Sequence, residues 1–474
     1  MARRSRTDRL PVFDRRRAGA LLDIASLLPT AGAGGVFGAR ARAWIDWLAT
    51  AGFSVWQLLP VGPVGSDGSP YWTRSDHAGD PRLLGGSDDR DRLAVETAEE
   101  RAAYAAFRKR SAAWLDDYAL FVALGESQPA QRWWEWPVPL RDRETDALSA
   151  ARAELAPRIE RAALEQFRFE CEWRAMREYA HARGVRLFGD LPIYVAPDAV
   201  DVWAHREQFQ LDAAGRPTAV AGVPPDYFSE KGQLWGNPLY EWSRARRTGF
   251  AFWRARIAHQ LERFDVLRID HFRGLAAHWA VPASAEDARA GAWRDTPGHA
   301  LLGAVRRDFP DLPFVAEDLG VITPDVVKLQ SDFGLPGMRV LQFGFDGNPA
   351  SPHLPHNHVR HSIVYTGTHD NDTSLGWYAT LDGATLGRVN DYLRIRPGEM
   401  PEAFVRTALG SVAELAVIPA QDLLGLDSRA RLNTPGTVGG NWIWRLDSQT
   451  LPINTARHLA WLNYLYGRAA APAH

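Results

Sequence analysis

The stretch Phe264–Arg273 reads FDVLRIDHFR and contains a short apolar run at residues 266–269. This run is rich in β-branched residues, which predicts a buried strand. Arg268 interrupts the run and Asp270 ends it, and charged side chains are rarely buried unless they are paired. The stretch therefore predicts either a structural ion pair or a set of functional groups at the carboxyl end of a strand.

Two later stretches have the same layout. FVAEDLG (Phe314–Gly320) and IVYTGTHDND (Ile363–Asp372) each begin with a strand-like run and end in acidic residues. A further acidic residue, Asp190, interrupts the apolar run VRLFGDLPIYV. Because a pattern that occurs three times is harder to explain by isolated ion pairs, these acids predict one acidic pocket.

Strand-like runs alternate with helical segments along the whole chain, which predicts an α/β fold, specifically a (β/α)₈ TIM barrel. We find no internal repeat and no clear linker, so residues 1–474 are expected to form a single barrel domain. In such barrels the active-site residues follow the carboxyl ends of the strands. The predicted strands begin near Ala18, Phe53, Val185, Val266, Phe314, Met338, Ile363 and Leu415.

Two long segments lie outside this alternation. Residues from about 88 to 161 are charged and alanine-rich at helical spacing, which predicts a helical insertion with an aromatic patch at Trp133, Trp134 and Trp136. A further helix is expected from about Ala162 to Ala182. Residues from about 196 to 245 show little regularity, and loops of this length in compact domains are typically lids or binding loops.

The composition limits the class of protein. Basic and acidic residues number 55 and 57, so neither nucleic acid nor a membrane surface is an expected partner. No window has the apolar length that crosses a bilayer, and the basic start of the chain lacks the apolar core of a signal peptide. The single cysteine, Cys171, excludes an internal disulfide and a cysteine-based zinc site. A cytoplasmic enzyme is the expectation.

The acidic residues suit two kinds of chemistry. Cleavage of a glycosidic bond needs two carboxyl groups, which lie about 5–5.5 Å apart when the configuration is retained. Arg268 shares a strand face with Asp270, and its charge would keep Asp270 ionised as a nucleophile. Glu317, in a drier setting, would keep its proton.

The alternative to glycosidic chemistry is metal binding, with the same acidic residues as ligands of Mg²⁺ or Ca²⁺. The histidines of HLPHNHVRH suggest a zinc site, but a solvated loop is the favoured interpretation of this segment.

Six motifs of the chain follow one another in the order VAGVPPDYFSEKGQLWGNPLYEW, LRIDHFRG, VAEDLGVITPDV, PGMRVLQFGFDG, VYTGTHDNDTSLGWY and RLNTPGTVGGNWIWR. With these motifs the chain resembles a known family, the amylomaltases or 4-α-glucanotransferases of the α-amylase clan. The resemblance extends from about Ala18 to Arg445.

The resemblance implies a barrel without a separate C-terminal β-domain, acting without a cofactor or metal. Such enzymes transfer α-1,4-glucan segments from a donor to glucose or a malto-oligosaccharide, with retention. By motif position, Asp270 is the nucleophile, Glu317 the general acid/base and Asp370 a group that stabilises the transition state. Arg268 and His369 are expected to bind substrate beside these residues at the donor subsite.

The resemblance also implies further substrate-binding residues. They are Tyr71, Asp190, Trp235 and Asn237, together with Asp226 and Tyr227 of an expected lid. Two other functions stay open, namely a retaining α-glucan hydrolase and a non-catalytic glucan-binding protein. Both a monomer and a homodimer are compatible with the sequence.

Two segments near the amino terminus depart from the family pattern. Asp23 stands in LLDIASLL where the family commonly has a histidine, and WTRSDHAGDP replaces the usual run of small residues after Tyr71. These departures bear on chain-length preference and acceptor choice. They do not bear on the class of activity.

Overall fold

The structure is a computed structural model, and it describes residues 12–30, 34–65, 67–85, 93, 95–129, 131–225, 229–396, 398–437 and 439–471. The strands in these residues form two sheets. They are β1 (Arg17–Leu21), β2 (Val55–Gln57), β3 (Arg186–Leu191), β4 (Ala219–Val223), β5 (Gln233–Pro238), β6 (Val266–Ile269), β7 (Ala277–Pro282), β8 (Ala292–Asp295), β9 (Phe314–Ala316), β10 (Gly337–Val340), β11 (Ser362–Tyr365) and β12 (Leu415–Pro419).

The larger sheet is parallel and has eight strands in the order β10-β11-β12-β1-β2-β3-β6-β9. Its two outer strands meet as well, because the backbone N–H of Ala316 donates to the carbonyl oxygen of Pro336 at 2.9 Å. Strands such as β6 and β11 are buried along their whole length, as expected where helices cover a parallel sheet. The predicted (β/α)₈ barrel is confirmed.

Helices alternate with the barrel strands. In the described ranges they are α1 (Ala39–Thr50), α2 (Ala98–Ser127), α3 (Val138–Arg141), α4 (Thr145–Glu154), α5 (Ala156–Ala182), α6 (Val200–Ala204), α7 (Trp242–Arg247), α8 (Ala251–Arg263), α9 (Gly298–Asp308), α10 (Pro324–Phe333), α11 (Ser374–Ala379), α12 (Gly383–Leu393), α13 (Glu402–Gly410), α14 (Ala420–Leu423) and α15 (Ile453–Leu465). The sequence predicts the eighth strand over Leu415 to Leu424, whereas β12 ends at Pro419, since α14 follows it directly.

The segment between β2 and β3 is helical, as the sequence predicts. The helix expected from about Ala162 begins earlier, at Ala156, with a proline in its first turn, where a missing N–H costs nothing. Trp133 and Trp136 are buried rather than displayed, at 1% and 3% exposure, and the Trp136 ring lies 5.8 Å from that of Trp203. The aromatic patch therefore packs the core.

The smaller sheet corrects the expectation of low regularity over residues 196–245. Four antiparallel strands lie in the order β5-β4-β7-β8, and α6 also falls within this range. The central strand β4 pairs with β7, which comes later in the chain, after the barrel strand β6. Because a strand is stabilised by cross-strand neighbours, a partner so distant leaves little local signal.

A buried ion pair fixes the loop that follows β2. Arg256 of α8 is fully buried, and its Nε lies 2.5 Å from Oδ2 of Asp76. Burial raises the pKa of Asp76 to about 6, although the charge of Arg256 opposes this. The backbone N–H of Asp76 also donates to Asp201 at 2.9 Å. This network anchors the segment that carries Tyr71.

We expect Arg256→Leu to lower the free energy of unfolding by about 3–5 kcal/mol, because it leaves the Asp76 carboxylate buried without its counter-charge. Denaturant unfolding measures this change. Arg254→Leu is the matched control on the same helix, since its pair with Asp308 is half-exposed and should cost about 1 kcal/mol or less. Equal effects of the two substitutions would contradict the role of the buried pair.

The departures near the amino terminus have structural partners. Asp23 caps the turn Ile24–Leu27 by accepting from the N–H of Ala25 at 3.2 Å, and burial raises its pKa to about 6. His77 lies 3.3 Å from Asp201, and Asp80 accepts from the N–H of Arg82 at 2.9 Å. Within the described ranges, no helix has the length and apolar character to cross a membrane.

Candidate active site

Asp270 follows the carboxyl end of β6 and is paired with Arg268. The Nη2 of Arg268 lies 2.8 Å from Oδ1 of Asp270, and its Nη1 lies 2.6 Å from Oδ2 of Asp190 at the end of β3. The Arg268 side chain is 6% exposed, whereas that of Asp270 is 27% exposed. One guanidinium thus bridges two carboxylates, and Asp270 is the one that faces the open side.

An aromatic layer lies beside this pair. Tyr71 donates its hydroxyl to Oδ2 of Asp190 at 2.6 Å, and its ring stacks on His369 with 5.1 Å between centroids. The indole of Trp442 lies 6.2 Å from the Tyr71 ring. Oδ1 of Asp190 is buried and has no hydrogen-bond partner among the described residues. The sequence predicted that Tyr71, Asp190 and His369 lie in one pocket, and the structure brings them together.

Glu317 follows β9, the barrel neighbour of β6, and is held by two backbone donors. Its Oε2 accepts from the N–H of His271 at 2.7 Å, and its Oε1 accepts from the N–H of Leu319 at 2.8 Å. Burial raises the pKa of Glu317 to about 7. The charge of Arg268 and these two hydrogen bonds oppose that rise, while the carboxylate of Asp270 adds to it. Asp270 and Glu317 therefore have contrasting surroundings.

Asp370 follows β11 and is half-exposed, with its side chain 45% exposed. Its Oδ1 accepts from Nδ2 of Asn433 at 2.6 Å and lies 3.4 Å from Nε2 of His369. Arg431 donates to its backbone carbonyl oxygen at 2.8 Å. This carboxylate is oriented by its neighbours and remains open to a ligand.

Two neighbouring acids have structural partners instead. Asp372 accepts from the N–H of Thr373 at 2.8 Å and from the hydroxyl of Ser428 at 2.7 Å. Asp318 accepts from the N–H of Met338 at 2.6 Å, which joins β9 to β10. The structure thus separates the acids that the strand-end pattern left equivalent.

Three residues of the site were not singled out from the sequence. His271 adopts a left-handed backbone conformation, with φ at 46°, and this turn aims its N–H at Glu317. Asn433 and Trp442 belong to the motif RLNTPGTVGGNWIWR, which carried the resemblance without a residue assigned to the pocket. Their positions in that motif are the signal that could have found them.

Two of the remaining candidates, Trp235 and Asn237, belong to the strand β5. The Trp235 ring is 4.8 Å from that of His271, and Asn237 is buried and donates to the carbonyl oxygen of Val195 at 2.9 Å. Asp226 and Tyr227 lie outside the described residues. Substrate contacts of all four residues stay a prediction.

The histidine-rich segment has ordinary hydrogen-bond partners. Nδ1 of His353 accepts from the N–H of Val340 at 3.1 Å, and His358 lies 2.8 Å from the hydroxyl of Ser411. Over the residues that can be described, no group of three or more His, Cys, Asp or Glu side chains could hold a metal ion.

The barrel presents a guanidinium-paired carboxylate beside a carboxylic acid whose pKa is raised to about 7. These are the groups that glycosidic-bond chemistry uses, as expected of a carbohydrate-processing barrel enzyme. It belongs to the 4-alpha-glucanotransferase family (Glyco_hydro_77), whose model matches residues 22–88 and 88–450. The predicted family and activity class are confirmed.

Relatives and solved structures agree with this membership. The 4-alpha-glucanotransferase of Thermus thermophilus is 46% identical, over 91% of this chain and 95% of the relative. The 4-alpha-glucanotransferase of Synechocystis is 39% identical, over 96% of this chain and 99% of the relative. The amylomaltase of Streptococcus agalactiae in complex with acarbose superposes with a TM-score of 0.91 at 33% identity, over 96% of this chain and 100% of that one.

Proposed function

We propose that Asp270 is the nucleophile and Glu317 the general acid/base of a glucan transfer that retains the anomeric configuration. The observation that carries this proposal is the contrast between the two carboxyl groups. Asp270 is paired with Arg268 at 2.8 Å, while Glu317 is buried and its pKa is raised to about 7. Carboxyl groups whose surroundings differ in this way take opposite roles in acid–base catalysis.

In the first half of the reaction, a carboxylate oxygen of Asp270 attacks the anomeric carbon of the donor. The bond from this carbon to the glycosidic oxygen breaks, and Glu317 gives its proton to that oxygen. The product is a glycosyl ester of Asp270 and a shortened chain that leaves. Arg268 stabilises the carboxylate before attack and again when the ester is broken.

In the second half, the hydroxyl of an acceptor sugar replaces the leaving chain. Glu317 removes the proton from this hydroxyl, the hydroxyl oxygen bonds to the anomeric carbon, and the ester bond to Asp270 breaks. Two inversions give net retention. Asp370, oriented by Asn433, would bind sugar hydroxyls as positive charge develops on the ring, and Tyr71 would form an apolar floor.

The substrates we propose are an α-1,4-glucan donor, such as a malto-oligosaccharide or a starch chain, and a glucose or malto-oligosaccharide acceptor. The acarbose complex of the Streptococcus agalactiae relative supports an oligosaccharide ligand. The cytoplasmic location and the roles of Asp226 and Tyr227 in a lid remain proposals that rest on the sequence.

Incubation with maltotriose tests this function. Transfer predicts a ladder of longer oligosaccharides together with glucose. Hydrolysis would give shorter products only, and a glucan-binding protein would leave maltotriose unchanged. Either of these two results would contradict the proposed transfer.

The raised pKa of Glu317 predicts how the rate depends on pH. Glu317 must be protonated to act as an acid, and a pKa of about 7 keeps the proton in place below that pH. We expect kcat/KM for maltotriose to fall as the pH rises through about 7.

An α-glucosyl fluoride is the internal control, because fluoride leaves without a proton. Its initial burst of fluoride release should fall much less over the same pH range. If both substrates lost rate equally as the pH rose, the loss would be due to the titration of a group other than Glu317.

A further inference from the structure

We propose that Trp293 forms an outer acceptor subsite, a stacking surface for the glucan acceptor beyond the sugar that reacts. This inference rests on the proposed function, since it assumes that Glu317 acts on the acceptor hydroxyl. Trp293 lies on the edge strand β8, whose four residues are all exposed, and 38% of its own surface is exposed. This exposed part of the indole leaves apolar surface on which a sugar ring can stack.

The Trp293 ring is held in place from within the protein. The guanidinium carbon of Arg273 lies 3.8 Å from the ring centroid, so this cation covers one face of the indole. Trp279 of β7 packs against it at 5.2 Å in an edge-to-face arrangement, and its own Nε1 donates to the carbonyl oxygen of Ala288 at 2.8 Å. A ring that is already ordered loses little entropy when a ligand stacks on its remaining surface.

Arg273 connects this ring to the two catalytic loops. It belongs to the loop after Asp270, and three residues of chain span at most about 11 Å. Its Nη1 donates to the carbonyl oxygen of Val321 at 2.9 Å and lies 3.0 Å from the hydroxyl of Thr323. Those residues belong to the loop that follows Glu317. Trp293 therefore lies against the outer part of the same two loops that carry the reacting carboxyl groups.

Trp293 lies on the same side of the pocket as Glu317, and this position indicates that its ligand is the acceptor. Glu317 protonates the leaving oxygen and later deprotonates the acceptor hydroxyl, so the acceptor must lie on the Glu317 side of the anomeric carbon. Val321, four positions after Glu317, is 59% exposed beside Arg273. A neutral glucan fits this surface, because sugar rings present apolar C–H faces that stack on indole and aliphatic side chains.

The length of the acceptor makes the proposal testable. Glucose fills only the position next to Glu317, whereas maltotriose extends outward and would reach Trp293. With an α-glucosyl fluoride donor, Trp293→Ala should raise the acceptor KM for maltotriose about 3- to 10-fold. The acceptor KM for glucose and the initial burst of fluoride release should stay unchanged. Trp293→Phe, which keeps an aromatic ring, should retain a KM near that of the wild type.

Trp461→Ala is the matched control, since Trp461 is also an exposed tryptophan, at 50%, on α15. It should leave both acceptor KM values unchanged. A rise in KM that is the same for glucose and maltotriose, or no rise for either, would overturn the subsite. Loss of the fluoride burst in Trp293→Ala would also overturn the subsite, because it would place Trp293 in the first half of the reaction. Absence of the burst in the wild type would instead contradict the proposed roles of the carboxyl groups.

A second measurement needs no substitution at Trp293. In the Asp270→Asn variant, which binds glucan without turning it over, saturating maltotriose should slow oxidation of the Trp293 indole by N-bromosuccinimide. Peptide mapping measures this oxidation residue by residue, with Trp461 as the unprotected reference. Equal oxidation of Trp293 with and without maltotriose would overturn the proposal even if the alanine variant failed to fold.

Discussion

Asp270→Asn is expected to abolish transfer, with a loss of turnover on the order of 10⁴- to 10⁶-fold, as for removal of other covalent nucleophiles. An amide of the same shape cannot form the glycosyl ester. Initial rates on maltotriose measure the loss, and the fluoride substrate should show the same loss because both require the nucleophile. Near-wild-type turnover would mean that another group attacks the anomeric carbon.

The fold should survive this substitution, since Arg268 retains its bond to Asp190 at 2.6 Å. Thermal unfolding checks this point. Asp372→Asn is the matched control after β11, another strand of the same barrel, because both Asp372 oxygens already bond to the protein, to Thr373 and Ser428. It should keep most of its turnover, and a loss equal to that of Asp270→Asn would contradict the separation of the two acids.

Glu317→Gln should lower turnover on maltotriose by about 10²–10⁴-fold, because the leaving oxygen loses its proton donor. The N–H groups of His271 and Leu319 donate to different oxygens of Glu317, so the amide oxygen can keep one of these bonds while the amide nitrogen faces the other donor. Thermal unfolding checks that the variant keeps its fold. The initial release of fluoride from an α-glucosyl fluoride should recover much of the wild-type rate. Equal losses on the two substrates would contradict the acid role.

The barrel could be predicted because its strands are short, apolar and buried, and they alternate with helices. The run at residues 266–269 and the run at 362–365 were both visible without any tertiary information. The small sheet was missed because β4 and its partner β7 are separated along the chain by the strand β5, two helices and the barrel strand β6. Hydrogen-bond partners at that distance leave no local period in the sequence.

The acidic residues of the candidate site could also be predicted, but only in part. The strand-end pattern placed Asp270, Glu317 and Asp370 among the acids expected in one pocket, because barrel topology brings the carboxyl ends of strands together. It could not separate Asp370 from Asp372, since that choice depends on Ser428, a residue brought near only by the fold. The positive φ of His271 had no signal either, since a non-glycine residue in that conformation is set by its surroundings.

The covalent intermediate gives the most direct test of the account. In the Glu317→Gln variant, an α-glucosyl fluoride can still form the ester, but no base is present to activate an acceptor. The ester should therefore accumulate. Intact-protein mass spectrometry should show the mass of one glycosyl group added, and peptide mapping should place it on Asp270. A glycosyl group on any other residue, or a product of inverted configuration with no adduct, would contradict the double displacement.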